Sequence, residues 1–526
     1  MIPWLKNNKI YLFFLGILIF ELIHFFFSGL ILTPDSFTYL RLAEEIQKGR
    51  FYIEQWGSGS VSVPPLYPFF IFLLQKFTLD YIAAGILISI ISSFGVILIV
   101  HKLTREIFGG KASLFAPTIL VLNPFFSAFS RAILTESLFS LFFILNIYLL
   151  YKLSKNDSKY IFFFFLLIGA SSALAWLTRD VGMASFALSV IWILYFLNAK
   201  KFSPIKIIMY FGAFLLGFIV FFAPFFVISK IGPSLSSYNN TAKKNILNTL
   251  TSPLLKDEMV REIAIRSLTD NGADYLIKDR SIKQMSLAEF AKQIPWILKK
   301  MALSVGRMSL YVLIITFGIL GLFAMISTCL NLRNKNRTTV FLGTFMLIYL
   351  SFYAFAGSFL GALGPERYLV PLLPIIILFS SNGIVQTSEF IEDKIKTRSK
   401  QIFLFFIFCV IIMQTIQVRY GVGALHDVMG YRNLSQLIEF APIKKNTIMA
   451  RRPYLAYFSK SDFILTPYAE YEKIIRFARY KKVDYIFIEK DLLLPSFDFY
   501  KIQLESPNEL IIIAESSRGV LYRLID

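Results

Sequence analysis

Cysteine is almost missing from this chain: there are two, Cys329 and Cys409, in 526 residues, both within or beside apolar runs. Neither a disulfide framework nor a cysteine metal cluster can be built from them. Acidic side chains are also scarce, 34 against 54 lysines and arginines, for a formal net charge of +20. The basic residues are spread over short loops between apolar runs and form no basic aromatic module. They read as topology signals in contact with anionic lipid, and no nucleic-acid partner is called for. No small-residue cleavage site follows the first apolar run, Ile10 to Leu32, which is too long for a cleaved signal peptide and reads as a retained first span. A glycine-rich phosphate loop, paired histidines and a serine nucleophile elbow are all missing from the polar C-terminal stretch.

What the chain has in abundance is apolar surface: 56% hydrophobic residues, 56 of them Phe, and a mean hydropathy of +0.62. Several runs reach the roughly 20 residues needed to cross about 30 Å of hydrocarbon. The fold class expected is therefore an α-helical polytopic membrane protein with about eleven transmembrane helices and a small C-terminal α/β domain. Residues 1–418 form the membrane domain, with long outer loops at 33–79 and 231–300, and residues 419–526 the soluble extracytoplasmic domain. Lys6 and Lys9 place the N-terminus in the cytoplasm, and the later basic loops keep the alternation, which leaves the C-terminus outside. In the tail, NTIMAR, DFILT, VDYIFIEK, ELIIIAE and GVLYRLI read as strands, and YRNLSQLIEFA and YAEYEKIIRFARYKK as helices.

The stretch Thr33 to Arg50, TPDSFTYLRLAEEIQKGR, follows the first span. Phe37, Leu40, Ala43 and Ile46 share a helical stripe with Arg41, Glu44, Glu45 and Lys48 off it, the pattern of a helix lying on a bilayer surface. Asp35 stands at its start, either capping the first-turn amides or serving chemistry. Thr135 and Glu136 begin a later apolar run, where an ionised glutamate must face protein or water, as a cap or as a functional group. Arg179 ends another span beside Asp180, as its ion-pair partner, as a snorkelling cation or as a phosphate ligand. Glu366 and Arg367 close a short outer turn, and His426 and Asp427 sit where the last span meets the tail. Asp35, Arg41, Glu136, Arg179, Glu366 and Arg367 all fall on the outer side near span ends. Arginines clamp phosphate and carboxylates accept protons, so such a set suits a substrate that joins an anionic lipid headgroup to a hydroxyl compound.

A motif order strengthens this reading. Asp35 with Tyr39, Ala43 and Gly49 is followed by PPLYP at Pro64 to Pro68, NPF at Asn123 to Phe125, ILTESLF at Ile133 to Phe139, LTR at Leu177 to Arg179 and ERYLVPLLP at Glu366 to Pro374. The pattern resembles the integral membrane GT-C glycosyltransferases, in particular the protein O-mannosyltransferase and aminoarabinose transferase branch, from about residue 30 to 380. The resemblance implies inverting transfer of a sugar, hexosyl or pentosyl, from a polyprenyl (undecaprenyl-type) phosphate donor. The acceptor is a lipid, glycan or protein on the outer face of the cytoplasmic (inner) membrane. By match, Asp35 is the general base or acceptor-positioning carboxylate, Glu136 shapes the acceptor or sugar site, and Arg179 and Arg367 hold the donor phosphate. Arg41 joins them by position, and Tyr39, Glu366 and His426 complete the candidates. No cofactor and no metal ligand set is called for, although a divalent metal is left open.

Two departures bear on substrate. Ser62 and Val63 stand where aminoarabinose transferases carry a charged pair before the two prolines, and Ser36 stands where many relatives have a second acidic residue. Lipid A modification with aminoarabinose is therefore not assumed. The competing class is a non-enzymatic transporter or flippase of lipid-linked saccharides, which would often show two related halves; no clear internal repeat is present.

Overall fold

A computed structural model describes residues 9–28, 30–57, 59–61, 63–155, 160–231, 318–333, 337–360, 366–395, 428–439, 446–466, 471–490, 509–516 and 518–525. The apolar helix α1 (Lys9–Ser28) leads into α2 (Pro34–Gln47), a strand pair β1 (Ile53–Gly57) and β2 (Gly59–Val61), and α3 (Leu66–Thr78). The bundle continues with α4 (Tyr81–Phe108), α5 (Gly110–Leu122), α6 (Pro124–Ser130), α7 (Glu136–Lys155), α8 (Ile161–Thr178), α9 (Met183–Ala199) and α10 (Pro204–Ile231). Then come α11 (Gly318–Arg333), α12 (Arg337–Leu360) and α13 (Leu373–Ile395). Among the described residues six helices are long and apolar enough to cross a membrane, or seven if α5 and α6, bent by 67°, count as one span. Multiple passes through a membrane follow from these lengths. The expected outer loop 231–300, the span expected near 402–418 and the first part of the one expected at 302–330 lie outside the described residues.

Lipid supplies no hydrophobic force between helices, so close approach depends on small residues. At Gly169 and Gly217, α8 and α10 come so near that a Cβ would sit 2.0 Å from the facing carbonyl of Phe214 or Leu166. The bend between α5 and α6 has a local cause: Asn123 accepts from the Phe125 and Phe126 amides at 3.1 Å, and Pro124 takes the first helical position, where its missing N–H costs nothing.

Two expectations about α2 are corrected. Its cap is Thr33, not Asp35: the Thr33 and Ser36 side chains close a reciprocal capping box. That leaves Asp35 in the first turn, where the helix dipole favours its charge. The stripe Phe37, Leu40, Ala43 and Ile46 is buried as the periodicity implied, but by protein. Phe37 lies within 4.9–5.6 Å of the rings of Tyr454, Tyr457 and Phe458 from the C-terminal domain.

That domain contains α14 (Val428–Glu439), β3 (Thr447–Ala450), α15 (Tyr454–Phe458), β4 (Asp462–Leu465), α16 (Tyr471–Tyr480), β5 (Tyr485–Glu489), β6 (Leu510–Glu515) and β7 (Gly519–Leu524). All five strands and both helices read from the sequence are present. The sheet, however, has seven strands in the order β2-β1-β4-β3-β5-β7-β6, because β1 from the first long loop pairs in parallel with β4. The Trp56 ring of β1 meets Phe463 at 5.3 Å and donates to Thr38 Oγ1 of α2 at 3.0 Å. The sheet thus grips α2 from a strand that hydropathy alone does not mark.

At the end of β5, Glu489 is buried and accepts the amides of Arg451 and Arg452 at 3.3 and 2.8 Å. Burial pushes its carboxyl from 4.5 up to about 7, against the pull of those amides. Between these values the folded domain holds the proton more tightly than the unfolded chain, so this group's stabilisation falls as pH rises from 4.5 to about 7 and is lost above. Thermal unfolding of wild type minus Glu489→Gln across that window should show the decline; a flat or rising difference contradicts it.

Candidate active site

Three breaks in apolar helices bring the polar groups together. The link between α1 and α2 delivers Asp35. The link after α6 delivers Thr135 and Glu136 at the start of α7. After α8, Arg179 turns to extended backbone (φ −151°, ψ 144°) and a single 3-10 turn, Asp180–Gly182, follows. Gly182 permits this turn, since a Cβ there would fall 2.3 Å from the Ala175 carbonyl oxygen.

Glu136 is 1% exposed. Its Oε1 meets Arg179 Nη1 at 2.6 Å, and the same Nη1 donates to Thr135 Oγ1 at 3.2 Å. Arg179 therefore pairs across the bundle with Glu136. Tyr349 of α12 interacts electrostatically with Arg179, and its ring packs on Phe143 at 5.2 Å.

Tyr39 lies one turn beyond Asp35 on the same face of α2. Burial, then the negative charges of Asp35 and Glu136, push its phenol well above the usual tyrosine range, while Arg179 and a hydrogen bond with Thr135 pull the other way. One side chain feels Asp35, Glu136 and Arg179 together, which places all three around it. A neutral phenol there can donate to an anionic oxygen as well as accept. Behind it Tyr67 of α3 stands edge-on at 5.4 Å. The Tyr67 hydroxyl donates to Gly85 O at 3.2 Å and lies 3.3 Å from Ser89 Oγ, and Ser89 donates to Ala132 O at 2.7 Å. These bonds fix the backbone just before Glu136.

Asp35, Tyr39, Glu136 and Arg179 are thus brought together. Arg41 is not: it projects about 200° around the helix from Tyr39, and pairs with Glu44 at 2.9 Å and Glu45 at 3.7 Å. Glu366 and Arg367 begin a 3-10 segment, Glu366–Leu372, whose backbone packs beside α7; their side chains, like the whole of His426, lie outside the described residues. Among the described residues no three His, Cys, Asp or Glu side chains gather as metal ligands. Sequence reasoning quoted Tyr67 within PPLYP without giving it a role, and missed Tyr349 and Gly182. Nothing sets Tyr349 apart among the 26 tyrosines of the chain.

Residues 62–228 match a family model described as dolichyl-phosphate-mannose-protein mannosyltransferase, a stretch that includes Glu136 and Arg179. No curated protein matches the chain. Among solved structures, apo ArnT from Cupriavidus metallidurans superposes with a TM-score of 0.55 at 10% identity, over 98% of each chain. The same protein bound to undecaprenyl phosphate gives 0.54 at 12% identity, again over 98% of both. The archaeal oligosaccharyltransferase AglB from Archaeoglobus fulgidus, in complex with an inhibitory peptide and a dolichol-phosphate, gives 0.53 at 12% identity, over 93% of this chain and 70% of that one. At these identities the likeness is one of fold. It bears out the fold that the motif order implied.

A buried charge deprived of its partner is costly. Arg179→Ala should lower stability by about 3–5 kcal/mol, and the double variant Glu136→Gln/Arg179→Ala should recover part of that loss. Denaturant unfolding of the purified protein measures both; a double variant no more stable than Arg179→Ala contradicts the pairing.

Proposed function

We propose that this protein is an integral membrane glycosyltransferase that moves a sugar from a polyprenyl-phosphate donor to the hydroxyl of a lipid, glycan or protein acceptor, with inversion. The observation that carries the reading is the convergence of Asp35, Tyr39, Glu136 and Arg179, supplied by three separate helix breaks, within a GT-C fold. The match to a mannosyltransferase family model and the undecaprenyl phosphate and dolichol-phosphate held by ArnT and AglB support a lipid-linked donor.

Asp35 accepts the proton of the attacking hydroxyl. The acceptor oxygen bonds to the anomeric carbon as the carbon–oxygen bond to phosphate breaks, and the electron pair leaves with the phosphate. A lipid phosphate is already a fair leaving group, so a cation suffices to stabilise its charge. Arg179, with Arg367 as a second candidate, supplies that charge, while Glu136 holds Arg179 in place and accepts from sugar or acceptor hydroxyls. Tyr39 donates across the same space. The site lies on the outer face of the cytoplasmic membrane in this reading, which the lysine and arginine bias of the loops supports.

Asp35→Asn removes the base while preserving shape, and should lower sugar transfer by about 10²–10⁴-fold in a purified assay with lipid phosphosugar, without loss of folded protein. Wild-type turnover in the Asn variant would remove Asp35 from the mechanism. Movement of lipid-linked saccharide across the bilayer with no transfer would favour a transporter instead.

A further inference from the structure

Glu21 sits within the apolar helix α1 and is only 8% exposed. A carboxylate inside such a run is costly and is retained where it makes specific contacts. Its Oε2 accepts from Ser130 Oγ at 3.0 Å, and the Arg131 guanidinium attracts it. Ser130 ends α6, and Arg131 begins the link that leads to Glu136. The next residue of that link, Ala132, forms an isolated parallel bridge with Ile31, and the Ile31 amide donates to Arg131 O at 3.3 Å.

Along the chain the bridge stands equally far from both carboxylates of the candidate site. Residues 31 and 132 pair, and residues 35 and 136, four further on from each, are Asp35 and Glu136. Both acids open a helix directly after this paired link. A sliding of one link past the other by a single residue would shift the two carboxylates relative to each other by about 3.3 Å, enough to spoil a reacting geometry. Ser89 ties Ala132 to α4, but the bridge joins the second link to the first by a single hydrogen bond. Glu21, reaching from α1 to the first residues of the second link, adds a further tie between the two.

We infer that Glu21 is a positioning residue: by holding Ser130 and Arg131 it seats residues 130–132 against Ile31, and so sets the spacing of Asp35 and Glu136. The inference rests on the reading of those two acids as site residues, but the lock itself can be tested without it. Cys329 and Cys409 are replaced by serine in the full-length protein, and Ile31→Cys with Ala132→Cys places thiols across the bridge, within disulfide reach when the links are in register. Oxidative cross-linking is then timed with Glu21, Glu21→Gln and Glu21→Ala. The Ala variant should cross-link about tenfold more slowly than wild type, and Gln should fall between, because its amide still reaches Ser130 but offers no charge to Arg131. Ser130→Ala, which leaves Glu21 in place, should also slow the reaction. Equal rates in all four overturn the lock.

In parallel, sugar transfer is measured in the native-cysteine background. Glu21→Ala should lower kcat about tenfold with the donor KM within about twofold, the split expected of misplaced chemistry rather than lost binding. An unchanged kcat in folded Glu21→Ala overturns the positioning role. If the wild-type protein transfers no sugar, while the Ile31→Cys/Ala132→Cys protein cross-links in a Glu21-dependent way, the proposed function is overturned and the lock stands.

Discussion

The ion pair between Glu136 and Arg179 constrains everything around it. Taking both charges out of water costs several kcal/mol per ion, and their attraction repays this only when the geometry is good and further hydrogen bonds are supplied. Here the 2.6 Å contact, Thr135, Tyr39 and Tyr349 supply that setting. Each comes from a place where a helix stops, starts or crosses: the extended residue at 179, the link before α7, the first turns of α2, and α12. Regular helices spend their backbone groups on themselves and expose none to a substrate. The link before α2, the link at 131–135 and the break at Arg179–Gly182 are therefore the parts of the membrane domain that present polar groups to one another.

The face of α2 away from Asp35 is committed to holding the C-terminal domain. Phe37 inserts among Tyr454, Tyr457 and Phe458, and Glu44, paired with Arg41 at 2.9 Å, hydrogen-bonds Tyr457. The β1–β4 pairing adds a backbone tie. One helix therefore carries Asp35 and Tyr39 on one side and the domain contact on the other. An acceptor that displaced the domain would move the helix bearing Asp35.

Hydropathy marked long apolar spans, and α4 and α7 to α10 are such helices, because a span must be long and apolar whatever it packs against. Alternation and periodicity found β3 to β7, α14 and α16, because a buried face repeats its apolar residues at the period of its element. The partners of α2 were not legible. Its apolar stripe fits a lipid surface and an aromatic cluster equally well, and only the fold shows that Phe37 meets Tyr454. The strands at 53–61 were missed because β1 is short and joins a sheet whose other strands lie far along the chain. At the site, Asp35, Glu136 and Arg179 were legible as charges beside apolar runs, but the pairing of Arg179 with Glu136 needed the turn at Gly182. Arg41 was misjudged by its level in the membrane, which says nothing of the side of the helix it occupies. Glu21 did carry a signal, a carboxylate inside an apolar run, and it passed unremarked within the first span.

A single displacement at the anomeric carbon leaves a stereochemical record that no binding or transport protein can produce. The most direct measurement is the anomeric configuration of the sugar in the product, determined by NMR after the purified protein is offered a set of lipid phosphosugars of known configuration. Transfer with inversion is the expected result. Retention would contradict direct attack assisted by Asp35, and the absence of transfer from every donor, by a folded protein, would contradict the assignment as a glycosyltransferase.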